Sequence, residues 1–180
     1  VDEWGTWCDV EPGTNPGFLY QQNTMRDALV AAINLNIFNN HCDTVCMANI
    51  AQMVNVLQAM ILTEGSKMVL TPTYHVFALY AAHQGAQQLE SYAETSILRH
   101  DEEAVPTLHV SASRATDGKI LITVANLDAA HPAEAQVLLG GVKAPVLGRI
   151  CMDMCMVRIP EGVDVHRGDE VTVFGPEGWT

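Results

Sequence analysis

The chain has 180 residues, of which 48% are hydrophobic and 17% charged, a composition typical of a globular protein rather than a disordered one. Its formal net charge of −12 excludes a nucleic-acid partner, because the sequence offers no basic stripe to phosphates. No apolar run reaches the roughly 18 residues of a membrane span, so none is predicted.

The chain opens on VDEWGTW, which puts Glu3 at the end of a short strand, with Trp4 and Trp7 close behind it. A carboxylate in that position can act on a substrate, and indole rings suit the face of a sugar. Because the chain starts within an element and without Met, we expect that it does not contain all of the protein that this chemistry needs.

A loop and a helix follow. Residues 11–23 (EPGTNPGFLYQQN) contain Pro and Gly breaks, which predict a loop long enough to border an active site. Thr24, with Asp27 three residues on, predicts a helix start. The apolar positions that follow predict a helix that ends at Asn39 and Asn40.

The next stretch is ambiguous on its residues alone. Apolar spacing over 47–61 favours a helix, whereas a short strand at 47–52 followed by an irregular segment is the alternative. Thr71 and Pro72 then predict a helix that Gly85 closes. The order of strand, loop and helix indicates an α/β region.

Beyond residue 89 the pattern changes to β. Apolar residues alternate from Leu108 and again from Ile120, and Asp117-Gly118 between them predicts a hairpin turn. Further strands are predicted at 136–139, 146–150, 154–159 and 170–174. The segment 90–106 is a candidate domain boundary.

Cysteines and histidines give no clear metal pattern. Two pairs, Cys42 with Cys46 and Cys151 with Cys155, share a spacing that raises a four-thiolate zinc site. The spacing is wider than in a zinc knuckle, so we favour scattered reduced thiols in a cytoplasmic protein and no metal. The seven histidines lack ligand spacing.

Several motifs in order carry a family resemblance: VDEWGTW, LYQQNTMRDALVAA, MANIAQMVNVLQAMI and TPTYHVF. Over about residues 1–136 the chain resembles the family-51 α-L-arabinofuranosidases. The resemblance implies the C-terminal part of a (β/α)8 barrel at 1–90, followed at 91–140 by part of an antiparallel β-sandwich. It also favours the strand over the helix at 47–52.

The resemblance also assigns residues. It implies that Glu3 is the catalytic nucleophile of a retaining glycosidase and that Gln52 contacts the arabinose ring, with Trp4 and Trp7 lining the pocket. Cys8 stands where relatives commonly have an aromatic residue. The acid/base Glu lies earlier in such enzymes, so we expect this chain to lack it and to be inactive alone.

The last third resembles a different family. The run GRICMDM and the closing GDEVTVFG resemble the C-terminal β domain of alanine racemases, over about 142–180. This implies that Met152 approaches the substrate carboxylate in a racemase site. Lys143 does not match the lysine that binds pyridoxal phosphate there. The chain is interpreted as a fusion of two enzyme portions, joined near 134–142, with a racemase-like β domain at 141–180.

The combined prediction is an α/β region followed by all-β domains. The leading function, implied by the first resemblance, is release of terminal arabinofuranosyl residues from arabinose-containing polysaccharides, without a cofactor. An arabinose-containing oligosaccharide is the expected partner. A racemase-derived enzyme that uses pyridoxal phosphate (PLP) and a non-catalytic carbohydrate-binding module are the alternatives. A second copy of the chain as a partner stays open.

Overall fold

The computed structural model describes residues 1–131, 136–139, 142–151, 154–157, 159–164 and 171–172. Within these ranges the protein is mainly β, with two α-helices and eleven short strands. It divides into two compact units: Val1–Glu90 with His109–Ala125, and Ser91–Leu108 with the residues from 126 onward. In the part described, no helix is both long and apolar enough to cross a membrane.

Both predicted helices are confirmed. Helix α1 is Met25–Asn40, and the Asp27 carboxylate accepts the backbone N–H of Thr24 at 2.7 Å, as a helix start requires. Helix α2 is Pro72–Tyr80, and the Thr71 hydroxyl accepts the N–H of its third residue. A 3-10 turn, Ala81–His83, continues α2.

The strands are short and mostly antiparallel. In chain order they are β1 (Ile61–Glu64), β2 (Lys67–Leu70), β3 (Gln87–Leu89), β4 (Ile97–His100), β5 (Glu103–Pro106), β6 (Leu108–Arg114), β7 (Ile120–Asn126), β8 (Gln136–Leu139), β9 (Val142–Cys151), β10 (Met154–Val157) and β11 (Val171–Thr172). They form two hairpins, β1-β2 and β4-β5, and two sheets of order β3-β6-β7 and β10-β9-β8-β11.

The β predictions hold where the structure describes them. Gly118 (φ +87°) turns the chain between β6 and β7 next to Asp117, as predicted. Predicted strands at 136–139 and 146–150 coincide with β8 and part of β9, and those at 154–159 and 170–174 are represented by β10 and β11. The rest of the last prediction and Met152 lie outside the described residues.

Two expectations near the chain start are wrong. Residues 47–61 contain no helix, because their main-chain groups bond either to other segments or to each other in a non-helical pattern. Nor does a regular strand form at Glu3 or at 47–52; a single parallel bridge joins Trp4 to Ile50. Where a portion of a (β/α)8 barrel was expected, the described residues therefore contain only two isolated parallel bridges, Trp4 with Ile50 and Val54 with Ile61.

The interior of the first unit is built from small and polar side chains. Its buried apolar residues are mostly alanines, such as Ala28, Ala31 and Ala59, whereas its largest fully buried side chains are polar. These polar residues are Gln21, Gln58, Asn36, Thr71, Thr73, Asp27 and Ser111. Since a buried polar group without a partner is costly, hydrogen bonds decide how this unit is held together.

Candidate active site

The segment that carries Glu3 is docked on residues 47–51 by four main-chain hydrogen bonds. The Val1 amine donates to the Met47 carbonyl at 2.9 Å, and the Asn49 N–H donates to the Val1 carbonyl at 3.2 Å. The Trp4 N–H then donates to the Asn49 carbonyl at 3.0 Å, and the Ala51 N–H donates to the Trp4 carbonyl at 2.8 Å. This is the bonding pattern of a parallel pair of strands.

The pairing contains a β-bulge at residues 2–3. The bonds of Val1 place it opposite position 48, and those of Trp4 place it opposite Ile50. One segment thus advances three residues, from 1 to 4, while the other advances two, from 48 to 50. Bulges redirect side chains and are frequent beside active sites. Glu3 sits on this bulge.

The Glu3 side chain is exposed. Within the part of the chain that the structure describes, its carboxylate makes no hydrogen bond and no ion pair. Gln52 is also exposed and lies two residues beyond Ile50, the residue opposite Trp4. Both predicted polar site residues are therefore exposed to solvent on two adjacent segments.

The two predicted tryptophans have different surroundings. The Trp4 ring stacks on Phe77 of α2 at a centroid distance of 5.9 Å and meets Phe38 of α1 edge-on at 5.4 Å. Its indole N–H is buried and has no hydrogen-bond partner among the described residues. Trp7, by contrast, is 71% exposed. Trp4 therefore packs between helices, and Trp7 is the aromatic surface left open.

Beyond Glu3, the half-buried Thr6 and four buried polar side chains fix the backbone. We call this the loop cluster: Thr6, Gln21, Asp27, Gln58 and Thr73. The Gln58 amide oxygen accepts the Thr6 N–H at 2.8 Å, and its amide nitrogen donates to the Asp27 carbonyl at 2.7 Å and to the Thr73 hydroxyl at 3.2 Å. Every hydrogen-bonding atom of the Gln58 side chain is thus used inside the protein.

Gln21 bonds to the same backbone segment, at residues 6 and 8. Its amide oxygen accepts the Cys8 N–H at 2.9 Å, and its amide nitrogen approaches the Thr6 hydroxyl at 3.3 Å. Gly5, between Glu3 and Thr6, has φ +150°, a conformation that side chains rarely adopt. The backbone is therefore constrained on both sides of Glu3.

Asp27 is the charged centre of the loop cluster. Its carboxylate accepts the Thr6 hydroxyl at 2.7 Å, the Thr24 N–H at 2.7 Å and Arg26 at 3.2 Å. Burial acts to raise the pKa of Asp27, but these hydrogen bonds and the Arg26 charge outweigh it and hold the pKa below its ordinary value. Asp27 is therefore ionised at neutral pH.

A second group, the helix–sheet cluster, joins α1 and α2 to β6 and β7: Asn36, Tyr80, Ser111 and Thr123. The Asn36 amide oxygen accepts hydroxyls from Ser111 at 2.7 Å, Thr123 at 2.7 Å and Tyr80 at 2.9 Å. Its amide nitrogen donates to the His109 carbonyl at 2.9 Å. Asn36 and Ser111 are fully buried, and Tyr80 and Thr123 are half-buried.

A small cleft of about 50 Å³ lies at the edge of the same sheet. Its lining includes Cys42, His83 and Ser113, and a His83 ring nitrogen lies 2.7 Å from the Ser113 hydroxyl. Burial lowers the pKa of His83, so the ring is neutral at neutral pH. Cys42 and Cys46 are exposed free thiols.

No group of three or more metal-ligating side chains occurs among the described residues. The side chains of the second predicted cysteine pair, Cys151 and Cys155, lie outside that description. Sequence reasoning missed Gln21 and Gln58 and assigned Asp27 only to the helix start. The loop 11–23 does contain a pair of amide side chains, Gln21 and Gln22. Composition alone predicts that amides in a loop face solvent, so it gave no reason to place Gln21 in the interior.

Solved structures share this fold. The arabinofuranosidase of family GH51 from Xanthomonas axonopodis pv. citri superimposes with a TM-score of 0.71 at 42% identity, covering 98% of this chain and 39% of that chain. A family-51 α-L-arabinofuranosidase from Bifidobacterium longum matches in fold, with a TM-score of 0.59 at 23% identity over 78% of this chain and 33% of its own. The fold is one found in glycoside hydrolases of family 51.

The sequence comparisons identify the family. A family profile described as the α-L-arabinofuranosidase C-terminal domain matches residues 2–146. An intracellular exo-α-L-arabinofuranosidase of Bacteroides ovatus is 51% identical over 146 residues, which is 80% of this chain and 28% of the relative. The chain belongs to the α-L-arabinofuranosidase C-terminal domain family, and it spans well under half of these relatives.

The resemblance of the last third is also confirmed, over a short segment. The profile of the alanine racemase C-terminal domain matches residues 125–180. The alanine racemase of Geobacillus kaustophilus is 55% identical over 42 residues, or 23% of this chain and 10% of the racemase. The two family matches overlap at 125–146, around the predicted junction at 134–142.

Proposed function

We propose that this chain supplies the nucleophile and part of the sugar-binding surface of a retaining α-L-arabinofuranosidase. The observation that carries the proposal is the exposed carboxylate of Glu3, which has no partner in the part of the chain that the structure describes and is held on a bulge within the VDEWGTW motif. A carboxylate that is not engaged in such a bond is available to attack a substrate carbon. The family of the chain supports an arabinofuranoside as the substrate.

In this mechanism a Glu3 oxygen attacks the anomeric carbon, and the bond to the leaving oxygen breaks. The product is a covalent ester between Glu3 and the sugar, which water then hydrolyses with net retention. A second carboxylate about 5 Å from the first protonates the leaving group. We assign that acid to the portion of such enzymes that has no counterpart in this chain.

Gln52 and Trp7 are the proposed contacts to the sugar. Gln52 offers an amide beside the bulge, and Trp7 offers an open ring face. Trp4, which packs between α1 and α2, supports the segment from behind. The parallel contact between Trp4 and Ile50 is consistent with the ends of two neighbouring strands at the rim of a barrel whose main body lies outside this chain.

We also propose a domain organisation and a cellular location for the chain. We retain the division into 1–90, 91–140 and 141–180 as a proposal. A cytoplasmic location is supported by the Bacteroides relative, which is described as intracellular. Arabinose-containing oligosaccharides are the proposed partners.

The test is complementation. The chain is mixed or co-expressed with the N-terminal portion of the Bacteroides relative, and release of nitrophenol from a nitrophenyl α-L-arabinofuranoside is measured. We expect activity with the wild-type chain and none with Glu3→Gln. Glu64→Gln, an exposed carboxylate on β1, is the matched control and retains activity. Equal activity of the Glu3 and Glu64 variants rules the proposal out, and sugar binding without hydrolysis supports a non-catalytic module instead.

A further inference from the structure

The hydrogen bonds around Glu3 point to residues that act on the reaction without touching substrate. Among the described residues the Glu3 carboxylate has no hydrogen-bond or ion-pair partner, so its direction depends on the backbone that carries it. Upstream and at Trp4, that backbone is paired with residues 47–51. Downstream, from Gly5 to Cys8, no strand partner holds it among the described residues, and the side chains of the loop cluster take that role.

We propose that the loop cluster is the positioning device of the nucleophile, with Thr6 as its central group. The Thr6 N–H is held by Gln58, and its hydroxyl donates to Asp27 while Gln21 approaches the same oxygen. All three partners are at most 2% exposed. A single residue, three positions beyond Glu3, is thus tied to three rigid side chains.

The choice of groups fits a positioning role. The amide oxygen of Gln21 accepts the Cys8 N–H, and that of Gln58 accepts the Thr6 N–H. Asp27 is itself anchored at the start of α1 through Thr24. Nothing in this arrangement is needed merely to fill space, because apolar side chains of the same volume could do so without the cost of buried polar groups. The arrangement instead fixes the segment to α1 and to the residues before β1.

The inference rests on the proposed function, and the experiment separates the two. Thr6→Val removes the hydroxyl at nearly constant volume, and Thr6→Ser restores it. Thr123→Val removes a buried hydroxyl that bonds Asn36 in the helix–sheet cluster and is the matched control. Glu3 is labelled with an arabinofuranosyl reagent that carries an activated leaving group, in the complemented enzyme, and the labelling rate constant is separated from the reagent's binding constant.

We expect Thr6→Val to lower the labelling rate constant about 10- to 100-fold, the scale of a small misplacement of a reacting group. The binding constant changes much less, Thr6→Ser recovers the rate, and Thr123→Val labels like the wild type. Wild-type labelling by Thr6→Val overturns the proposal. An equal loss in Thr6→Val and Thr123→Val also overturns it, since that result reflects general stability.

Amide hydrogen exchange on the chain alone gives a readout that needs no activity. In Thr6→Val the amides of residues 6 and 8 exchange faster, while that of Leu57, bonded to the Leu19 carbonyl at 2.8 Å, stays protected. Gln21→Met gives the same pattern if Thr6→Val does not fold. Absence of labelling in the wild type, with faster exchange in the variant, rejects the proposed function and keeps the ordering role. Unchanged exchange rejects the ordering role.

Discussion

The loop cluster and the helix–sheet cluster belong to the same compact unit, and both consist of buried polar side chains. They differ in what they hold. The helix–sheet cluster converges on one amide oxygen, that of Asn36, and joins helices to strands in the interior. The loop cluster distributes its bonds along a backbone segment that ends in the exposed Glu3. The first cluster serves stability, and the second serves the direction of a side chain.

The difference explains why the unit has so polar an interior. A core of alanines buries little apolar area, so less of its stability comes from the hydrophobic effect. Buried hydrogen bonds restore specificity, because each partner that is lost leaves an unsatisfied group. Substitutions in the helix–sheet cluster should therefore mainly lower the free energy of unfolding. Substitutions in the loop cluster should also change the reaction of Glu3.

The largest effect is expected at Asn36. Asn36→Leu leaves three hydroxyls without their shared acceptor, which we expect to lower the free energy of unfolding by about 3 kcal/mol. Asn34→Leu, on the same helix, removes one bond to the Val30 carbonyl and costs much less. Urea unfolding measures both. Equal losses would contradict the central role of Asn36.

Asp27 comes next. Asp27→Asn weakens the bonds to Thr6 and Thr24, and we expect a loss of about 2 kcal/mol at neutral pH. Since the pKa of Asp27 is lowered in the folded protein, its contribution is present above the unfolded pKa of about 3.9 and is lost as pH falls through the folded pKa. The variant should therefore lose less stability than the wild type on acidification. An identical pH profile contradicts this assignment.

Tyr80 tests the helix–sheet cluster more gently. Tyr80→Phe removes hydroxyl bonds to Asn36 and to the Ala32 carbonyl, with an expected cost of about 1 kcal/mol. Burial raises the pKa of Tyr80 to about 12, so the stabilisation it provides is full below pH 10 and declines as pH rises toward 12. Tyr92→Phe, at a 73% exposed tyrosine, is the control. Thermal unfolding of both variants and the wild type is measured at pH 8 and pH 11. We expect the difference between the wild type and Tyr80→Phe to be smaller at pH 11, and an equal difference at both pH values would contradict this assignment.

The smallest effect on stability is expected at Trp7. Because its ring is 71% exposed, Trp7→Ala should change the free energy of unfolding by no more than about 0.5 kcal/mol. The same variant should bind an arabino-oligosaccharide more weakly in the complemented enzyme, as calorimetry can show. Unchanged affinity would remove Trp7 from the proposed binding surface.

The sequence predicted the helix starts and the hairpin turn well, but it did not predict the conformation of residues 47–61 or the loop cluster. Caps and turns are local, so Thr24, Thr71 and Asp117-Gly118 marked the helices and the hairpin correctly. Residues 47–61 misled, because their apolar spacing matched a helix while their main-chain groups bond to Val1, Trp4 and Leu19. Glu3 could be predicted because it belongs to a family motif. The partners of Thr6 lie 15 to 52 positions away in the sequence, so no local pattern predicts these hydrogen bonds.

The central claim is that Glu3 forms the covalent bond to the sugar. The most direct measurement is peptide mapping of the complemented enzyme after reaction with the activated arabinofuranosyl reagent. We predict one pentosyl group on the peptide that contains Glu3 and no label in Glu3→Gln. Label on another carboxylate of the chain, with Glu3 unmodified, would contradict the account.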